Sequence, residues 1–505
     1  MPPSPETLFE QVCDHARQTA LLASVEGLLG WDERTMMPPA AAPHRAEQMT
    51  LLSAMIHRRT TDPRFGGWLE ELAASERAAD PHGDMGATVR GLKRIHDRAV
   101  RLPTALVEEL TRTAVLGQQA WEEARERDDF GRFQPLLEKT VRLKREEADA
   151  LAIGRCRYDA LLDEYEPGES TDRVAAVLAG LREPLVALID AIRGASQRPD
   201  AAVLKHRFPL AAQEALGRAA AAEIGFDFSR GRLDETVHPF CAEAGPHDCR
   251  ITTRYDEHYL PMGLFGILHE AGHGLYDQGL DPAAYGLPLG SPVSHGIHES
   301  QSRLWENQVG RSRAFWEHGF SRLKQFFPAA LTGVSLDDFH FAVNAVAPST
   351  IRVEADEATY NLHIIVRFEL EQALLEDRLA VADLPAAWNA AYREYLDIEV
   401  PNDAQGVLQD VHWSGGSFGY FPTYTLGNLY AAAFFAAADA ALGGLEALLA
   451  RGEFQPLLDW LRENVHGHGQ RFSAAELIMR ITGAPLSHAP FMDYLRGKLT
   501  PLYRI

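Results

Sequence analysis

The pentapeptide His-Glu-Ala-Gly-His at residues 269–273 is the part of this chain best suited to chemistry. On a helix, residues four positions apart lie on the same face, so the imidazoles of His269 and His273 can bind one metal ion. Glu270 lies at the edge of that face, where its carboxylate can accept a proton from an attacking water. Two surface histidines are the alternative, but the flanking residues are apolar, and burying these side chains without a partner would be costly. The pattern therefore predicts a metal site of the kind found in zinc peptidases.

A third ligand is expected after this helix, because a catalytic zinc site has three protein ligands and one open position. Residues 279–296 are rich in glycine and proline and would let the chain turn back towards the metal. Glu299 and the adjacent His298 are the competing candidates, and the family resemblance given below favours Glu299. The alternative is that Glu299 binds no metal and only stabilises the first turn of its helix, where the helix dipole favours an acidic side chain. Asp277 is predicted either to accept a hydrogen bond from a ligand imidazole or to be solvated.

The elements that carry these residues are predicted to be mostly helical, because Ala, Leu, Glu and Arg are abundant. Residues 250–255 alternate and include β-branched side chains, so they are predicted to form a strand. The apolar stretch over residues 430–450 contains Asp439 and Glu446, which favours a buried helix over a membrane span. Ser4 is the expected N-cap of the first helix, which should end before Pro38. Helices are predicted over residues 6–30, 101–151, 172–195, 262–278 and 298–309, and the patterns over 101–151 and 172–195 are the clearest.

Length and composition exclude several classes of protein. A chain of 505 residues is long for one compact domain, so two domains or one two-lobed domain are expected. The net charge of -22 argues against nucleic acid and membranes as partners, since both select basic surfaces. Four cysteines without a C-x-x-C pair argue against a disulfide framework. The segment Met1 to Glu6 lacks the features of a signal peptide, so a cytoplasmic protein is expected.

Five motifs in chain order are similar to those of the carboxypeptidase Taq family of metallocarboxypeptidases. An early segment, Trp31 to Pro38, also resembles the W-D-x-x-T-x-M-P of that family and is expected to pack or to form a groove wall. The matches extend over nearly the whole chain, and no motif position departs from the family pattern. The five motifs are Asp248–Thr252 (D-x-R-x-T), His269–His273 (H-E-x-x-H), His298–Gln301 (H-E-S-Q), Ile351–Asp356 (I/V-R-x-x-A-D) and Gly406–Trp413 (G-x-x-Q-D-x-H-W).

The resemblance implies a mainly α fold, large and two-lobed with a deep substrate groove, like that of neurolysin and angiotensin-converting enzyme. A small β-sheet is expected beside the helices, and residues 1–505 should form a single catalytic domain. The family relationship also implies release of single C-terminal residues from peptides with broad specificity, and a homodimer. One divalent metal ion per chain is expected, zinc in preference to cobalt, although the ligand types suit both metals.

A carboxypeptidase must bind a free C-terminal carboxylate, and the planar fork of arginine suits that group. Arg250 and Arg352 are the candidates, and we expect at least one of them to contact the substrate. The alternative for either arginine is a structural salt bridge, for Arg352 with Glu354 or Asp356. The resemblance adds His412, at the closed end of the groove, to the substrate-binding residues.

Hydrolysis also requires a donor for the developing oxyanion besides the metal. Tyr420, Tyr424 and His412 are the candidates, although either tyrosine can instead be a packing residue. In the predicted mechanism Glu270 takes a proton from the attacking water and then delivers it to the leaving amine. An oligo- or endopeptidase on the same fold, or a catalytically silent scaffold stabilised by its metal, are the competing interpretations. Cys249 occupies a variable motif position and is expected to have no chemical role.

Overall fold

The computed structural model describes residues 4–505, so the prediction for Met1 to Glu6 lies in part outside the described residues. The chain forms two compact units, each assembled from three separate segments. The first unit contains the described part of residues 1–100, with residues 199–343 and 431–485. The second unit contains residues 101–198, 344–430 and 486–505.

Helices make up most of the described chain, and one small sheet accompanies them. The helices are α1 (Pro5–Thr35), α2 (Ala42–Thr60), α3 (Pro63–Ala73), α4 (Asp84–Arg101), α5 (Thr104–Arg127), α6 (Phe130–Leu151), α7 (Arg157–Tyr165), α8 (Thr171–Gly194), α9 (Leu210–Glu223), α10 (Leu260–Asp277), α11 (His295–Arg303), α12 (Arg313–Phe326), α13 (Leu336–Val343), α14 (Tyr360–Leu375), α15 (Leu384–Leu396), α16 (Pro422–Leu442), α17 (Leu445–Ala450), α18 (Gln455–Asn464), α19 (Ala474–Thr482) and α20 (Ala489–Tyr503). The strands are β1 (Gly231–Glu235), β2 (Cys241–Glu243) and β3 (Cys249–Thr253). The prediction of a mainly α fold with a small sheet is confirmed.

The first helix begins as predicted and ends later. The Ser4 hydroxyl oxygen accepts a hydrogen bond from the Thr7 N–H at 3.3 Å, so Ser4 is the N-cap. Helix α1 extends five residues beyond the predicted end at Gly30 and stops at Thr35. Pro38 and Pro39 follow within four residues, and proline cannot continue a helix because it lacks the N–H donor.

The sheet lies in the first unit and packs against the metal helix. Strand β3 is central, with β1 parallel on one side and β2 antiparallel on the other. The predicted strand over residues 250–255 is therefore present, but it begins one residue earlier and ends two residues earlier. Most of β3 is buried. The three elements β3, α9 and α11 each contact α10. The sheet, α9 and α11 thus fix the position of α10.

Helix α11 begins three residues earlier than predicted and does not continue regularly to Val309. The Ser294 hydroxyl accepts a hydrogen bond from the Ile297 N–H at 3.1 Å and caps its first turn. Regular α-helix ends at Arg303, and a π-helical segment, Leu304–Val309, follows it. Such wider turns are rare and are frequent at functional sites.

The second unit contains α5 to α8, α14, α15 and α20. The helical run predicted over residues 101–151 is divided into α5 and α6 at Asp128, which has a φ of 54°. The predicted helix over residues 172–195 is present as α8.

The apolar region predicted over residues 430–450 is two helices rather than one. Helix α16 ends at Leu442, and Gly443 and Gly444 both have positive φ before α17 begins. Within residues 4–505, α16 is the helix that is long and apolar enough to cross a membrane. However, 61% of its most apolar window is buried inside the protein, as in a core helix.

Candidate metal centre

Three predicted metal ligands converge in the first unit. The Nε2 atom of His273 lies 3.3 Å from Glu299 Oε2, and the Nε2 atom of His269 lies 3.6 Å from the same oxygen. Nitrogen and oxygen ligands about 2.0–2.1 Å from a tetrahedral zinc ion lie about 3.3 Å from one another. The chemistry and spacing of these donor atoms therefore fit a divalent cation. His298, the competing ligand, points its Nε2 to Asp277 instead, at 2.9 Å.

Gly272, inside the metal motif, lets α10 and α11 approach closely. A β-carbon added at Gly272 would lie 2.6 Å from the carbonyl oxygen of Gln301 and 2.6 Å from Ser302 Cα. These backbone atoms follow Glu299 on α11, so any side chain at position 272 would push that helix away. The small residue between the two histidines thus brings the third ligand within reach.

Two residues that we did not predict, one with a carboxylate and one with a guanidinium, orient the ligand atoms. Glu306 Oε2 accepts a hydrogen bond from His269 Nδ1 at 2.9 Å, which leaves Nε2 of this imidazole for the metal. The Nε atom of Arg303 donates to Glu299 Oε1 at 2.6 Å. Glu299, Arg303 and Glu306 are spaced by four and three residues, the signal by which the sequence could have revealed this group.

Asp277 has neither of its predicted environments. Its side chain is 6% exposed, so it is not solvated, and its Oδ1 atom bonds His298 rather than a metal ligand. The ring of His298 in turn stacks on His273, with centroids 4.5 Å apart and planes 17° apart. The tertiary packing of α11 on α10 creates this contact, which local spacing could not predict.

The pKa values of the side chains in the metal centre suit the binding of a cation and the presence of a general base. Burial and the neighbouring His298 lower the pKa of His273 to about 4, so its imidazole is neutral near pH 7 and can bind a metal. Burial opposes ionisation of Glu299, but Arg303 and the histidines hold the pKa of this carboxyl well below its usual range. Burial raises the pKa of Glu270 to about 7, which is suitable for a group that exchanges a proton near neutral pH.

Arg250 is held by a neighbouring carboxylate in the first unit. Its Nε and Nη2 atoms donate to Asp248 Oδ1 and Oδ2, both at 2.8 Å. The guanidinium also lies 4.4 Å from the ring centroid of Trp31, so the early tryptophan packs against this arginine. The salt bridge that was the alternative role of Arg250 is thus present, and its contact with substrate stays a prediction.

Arg352 lies in the second unit and shares one carboxylate with a second arginine. Its Nε and Nη2 donate to Asp410 Oδ1 at 3.0 and 2.7 Å, rather than to Glu354 or Asp356. Arg367, which we did not predict, donates from Nε to Asp410 Oδ2 at 2.6 Å. Both guanidiniums are buried, so two positive charges face one negative charge. No local pattern links Arg367 to this cluster.

The three predicted oxyanion donors are neighbours in the second unit. His412 Nε2 lies 3.2 Å from the Tyr424 hydroxyl, and the ring of Tyr420 contacts both side chains. The guanidinium of Arg352 lies 5.0 Å from the ring centroid of Tyr424. Burial, with Arg352 and Arg367 nearby, lowers the pKa of His412 to about 4, so its imidazole is neutral near pH 7.

A buried glutamate anchors the loop that carries Tyr420. Glu371 accepts hydrogen bonds from the Trp413 indole at 2.8 Å, the Tyr158 hydroxyl at 2.8 Å and the Gly419 N–H at 3.1 Å. Gly419 has a φ of 86°, and a β-carbon there would lie 2.8 Å from the backbone of Leu161. Sequence reasoning missed Glu371, because its partners are far apart in the chain.

Comparison with known proteins identifies the family. The sequence model described as "Carboxypeptidase Taq (M32) metallopeptidase" matches residues 11–499. The chain is 48% identical to thermostable carboxypeptidase 1 of Thermus thermophilus, over 99% of this chain and 100% of that protein. It is 38% identical to carboxypeptidase 1 of Bacillus subtilis, over 98% of this chain and 99% of that protein.

Solved structures agree with the sequence matches. The M32 carboxypeptidase from Deinococcus radiodurans has a TM-score of 0.96 at 44% identity, covering 99% of this chain and 100% of that chain. Metallocarboxypeptidase 1 of Trypanosoma cruzi has a TM-score of 0.93 at 32% identity, covering 99% of this chain and 100% of that chain. The resemblance found in the five motifs is therefore confirmed, and the protein is a metallocarboxypeptidase. The chain belongs to the carboxypeptidase Taq (M32) family of metallopeptidases.

Proposed function

We propose that this metallocarboxypeptidase removes single C-terminal residues from peptides of varied sequence, with Glu270 as the general base. The observation that carries the proposal is the convergence of His269 Nε2, His273 Nε2 and Glu299 Oε2, directly beside a buried glutamate. These three side chains would hold one divalent cation, zinc in preference to cobalt. When bound, the cation supplies a Lewis acid and lowers the pKa of water.

Glu270 supplies the proton transfers of the reaction. With a pKa raised by burial to about 7, its carboxylate accepts a proton from the attacking water near neutral pH. The resulting carboxylic acid then donates that proton to the nitrogen of the leaving amine. Glu306 keeps the His269 ring in one orientation during these transfers, because it holds the proton on Nδ1.

Arg352 is the preferred ligand for the C-terminal carboxylate of the substrate. It and Arg367 share Asp410, and the extra positive charge of this buried group would be compensated by an incoming carboxylate. Arg250 is the weaker candidate, because its charge is already matched by Asp248, which it binds bidentately through Nε and Nη2. His412 is proposed to bind substrate beside Arg352, and Tyr420, Tyr424 or His412 to donate to the oxyanion.

One pair of peptides tests the proposed activity. A peptide with a free C-terminus and the same peptide with a C-terminal amide are incubated with the enzyme, with and without added Zn²⁺ or Co²⁺ after chelation. Mass spectrometry should show a ladder of products, each shorter by one C-terminal residue, from the free peptide alone and only with metal. Internal cleavage of both peptides would indicate an oligo- or endopeptidase instead, and no cleavage by metal-loaded protein would indicate a scaffold.

Several expectations extend beyond the reaction itself. A homodimer, a cytoplasmic location and the absence of nucleic acid or membrane partners stay predictions, as does the treatment of residues 1–505 as one catalytic domain. Size-exclusion chromatography with light scattering would test the dimer.

A further inference from the structure

Two of the four cysteines form a cluster with the carboxylate of Asp277 in the first unit, and none of the three residues is a ligand of the catalytic metal centre. The sulfur atoms of Cys241 on β2 and Cys249 on β3 are 3.7 Å apart. The Asp277 Oδ2 atom, at the end of α10, lies 3.6 Å from Cys241 Sγ. One donor atom from each residue lies within 4.8 Å of the others. We call these three side chains the thiol cluster.

Two distances in the thiol cluster, Cys241 Sγ to Cys249 Sγ and Cys241 Sγ to Asp277 Oδ2, match those of a thiolate metal site. Sulfur atoms at about 2.3 Å from a tetrahedral cation lie about 3.8 Å apart, and a sulfur and a carboxylate oxygen lie about 3.5 Å apart. The observed separations of 3.7 and 3.6 Å agree with both values. The three donors come from two strands and one helix, so a cation bound there would connect the sheet to the metal helix.

The buried carboxylate of Asp277 provides an independent reason for a cation. Its Oδ1 atom faces His298 at 2.9 Å, whereas the partner found for Oδ2 within residues 4–505 is the Cys241 thiol. A thiol is a weak hydrogen-bond donor and compensates a buried negative charge poorly. A divalent cation bound by the two sulfurs would give Oδ2 a far stronger partner than the thiol, because the oxygen would become one of its ligands.

Strand register favours a cation over a disulfide in this cluster. Cys241 pairs with Ile251 and Cys249 pairs with Glu243, so the two cysteines occupy diagonal positions on β2 and β3. Diagonal neighbours on antiparallel strands are about 7–8 Å apart. A disulfide usually requires Cα atoms about 4.4–6.8 Å apart. Two metal–sulfur bonds span the longer separation without movement of the strands.

We propose that Cys241, Cys249 and Asp277 form a second metal site, for a thiophilic divalent cation of the Zn²⁺ and Cd²⁺ class. Two sulfur ligands select such soft or borderline cations over Mg²⁺ and Ca²⁺, which prefer oxygen. Binding releases the two thiol protons, and both thiolates become ligands. A cavity of about 30 Å³ lies beside Cys249, Asp277 and Glu243 and is large enough to hold a water, the group that would complete the coordination.

The second site differs from the catalytic centre in the ligands it offers. The catalytic centre provides two imidazoles and one carboxylate, whereas the thiol cluster provides two sulfurs and one carboxylate. Cadmium bound to thiolates gives an ultraviolet charge-transfer band that cadmium bound to imidazole and carboxylate lacks. This band therefore reports the second site separately from the first, without any measurement of peptidase activity.

The test is a Cd²⁺ titration of the full chain, reduced and freed of metal. Wild-type protein should bind two equivalents of Cd²⁺ per chain, and one of them should produce the sulfur-to-cadmium band. The C241S/C249S variant should lose that equivalent and the band completely. The C13S/C156S variant, which changes the other two free cysteines, should keep both. A wild-type protein without the band, or a band that persists in C241S/C249S, would overturn the proposal.

Two further measurements keep the result interpretable if C241S/C249S folds poorly. The H269Q/H273Q variant should lose one equivalent of Cd²⁺ and keep the sulfur band, because the thiol cluster is intact. Protein isolated anaerobically and denatured without reductant should show four reactive thiols, the full cysteine content of the chain. Two reactive thiols in the wild type and none in C13S/C156S would show that Cys241 and Cys249 form a disulfide, and would contradict the metal site.

Discussion

Gly272 lies against the carbonyl oxygen of Gln301, and a β-carbon at position 272 would come within 2.6 Å of it. This contact sets the separation of α10 and α11, and therefore the distance from the two histidines to Glu299. Gly272→Ala should push α11 away, lower the affinity for the metal at least tenfold and destabilise the fold by about 1–3 kcal/mol. Competition with a chromophoric chelator and thermal unfolding measure the two effects.

A matched control uses a glycine in an open helical position of the same unit. Gly67 lies in α3, and a β-carbon there would meet nothing within 4 Å. Gly67→Ala should leave metal affinity unchanged and stabilise the protein by up to about 1 kcal/mol, because alanine favours helix. If Gly272→Ala binds metal as tightly as Gly67→Ala, helix separation does not control the site.

Glu270→Gln tests the general base. The amide has nearly the same shape but cannot accept the proton, so turnover should fall by a factor of about 10²–10⁴ or more. Metal content should remain at the wild-type value, because Glu270 is not one of the three converging ligands. Steady-state hydrolysis of one unblocked peptide, with metal analysis of the same sample, separates the two effects. Substantial residual turnover would remove Glu270 from this role.

Glu306→Gln tests the orientation of His269. The neutral amide accepts a weaker hydrogen bond from His269 Nδ1 than the carboxylate does, so metal affinity should fall about 10- to 100-fold. Glu317→Gln is the control, since Glu317 pairs with Arg313 in an exposed i,i+4 contact on α12. Isothermal titration with Zn²⁺ gives the affinities. Equal affinities in the two variants would show that Glu306 does not tune the ligand.

Arg352→Lys tests which arginine binds the substrate carboxylate. Lysine keeps the charge but loses the planar fork, so kcat/KM for a peptide with a free C-terminus should fall about 10- to 100-fold. The preference for the free peptide over its amide should fall with it. Arg393→Lys is the control, because Arg393 forms an exposed bidentate pair with Glu399. If Arg250→Lys instead lost the preference for the free peptide over its amide, Arg250 would be the residue that binds the substrate carboxylate.

Local patterns predicted the parts of the molecule that neighbouring residues determine. The metal motif and its apolar flanks predicted both ends of α10 to within two residues, because apolar periodicity and the i,i+4 histidines are properties of one helix. The Ser4 cap and the strand at Arg250 were equally local. The carboxypeptidase activity was predicted from the family resemblance rather than from spacing. The same resemblance favoured Glu299 rather than His298 as the third metal ligand.

Contacts between distant segments were not predictable from one sequence. Arg367 reaches Asp410 across 43 residues, and Tyr158 reaches Glu371 across 213. Neither pair leaves a local signal, because each depends on how separate helices pack. Asp277 shows the same limit: its sequence position allowed two environments, and the packing of α11 produced a third.

The pKa of Glu371 predicts how stability changes with pH. Burial raises this pKa from 4.5 to about 7, although the three donors around the carboxyl oppose the shift. The folded state therefore keeps the proton where the unfolded state has lost it. The stabilising contribution is complete below about pH 4.5 and is lost as the pH rises to about 7. A shift of this size corresponds to about 3 kcal/mol.

Glu371→Gln should remove that pH dependence, because the amide does not titrate. Between pH 4.5 and 7, the free energy of unfolding of the wild type should fall relative to that of the variant by up to about 3 kcal/mol. Denaturant unfolding at several pH values measures the difference. At the acidic end of this range the variant should be the less stable protein, because its NH₂ group must face one of the donors Trp413, Tyr158 and Gly419. A constant difference across this pH range would mean that these donors keep the carboxylate ionised in the folded protein.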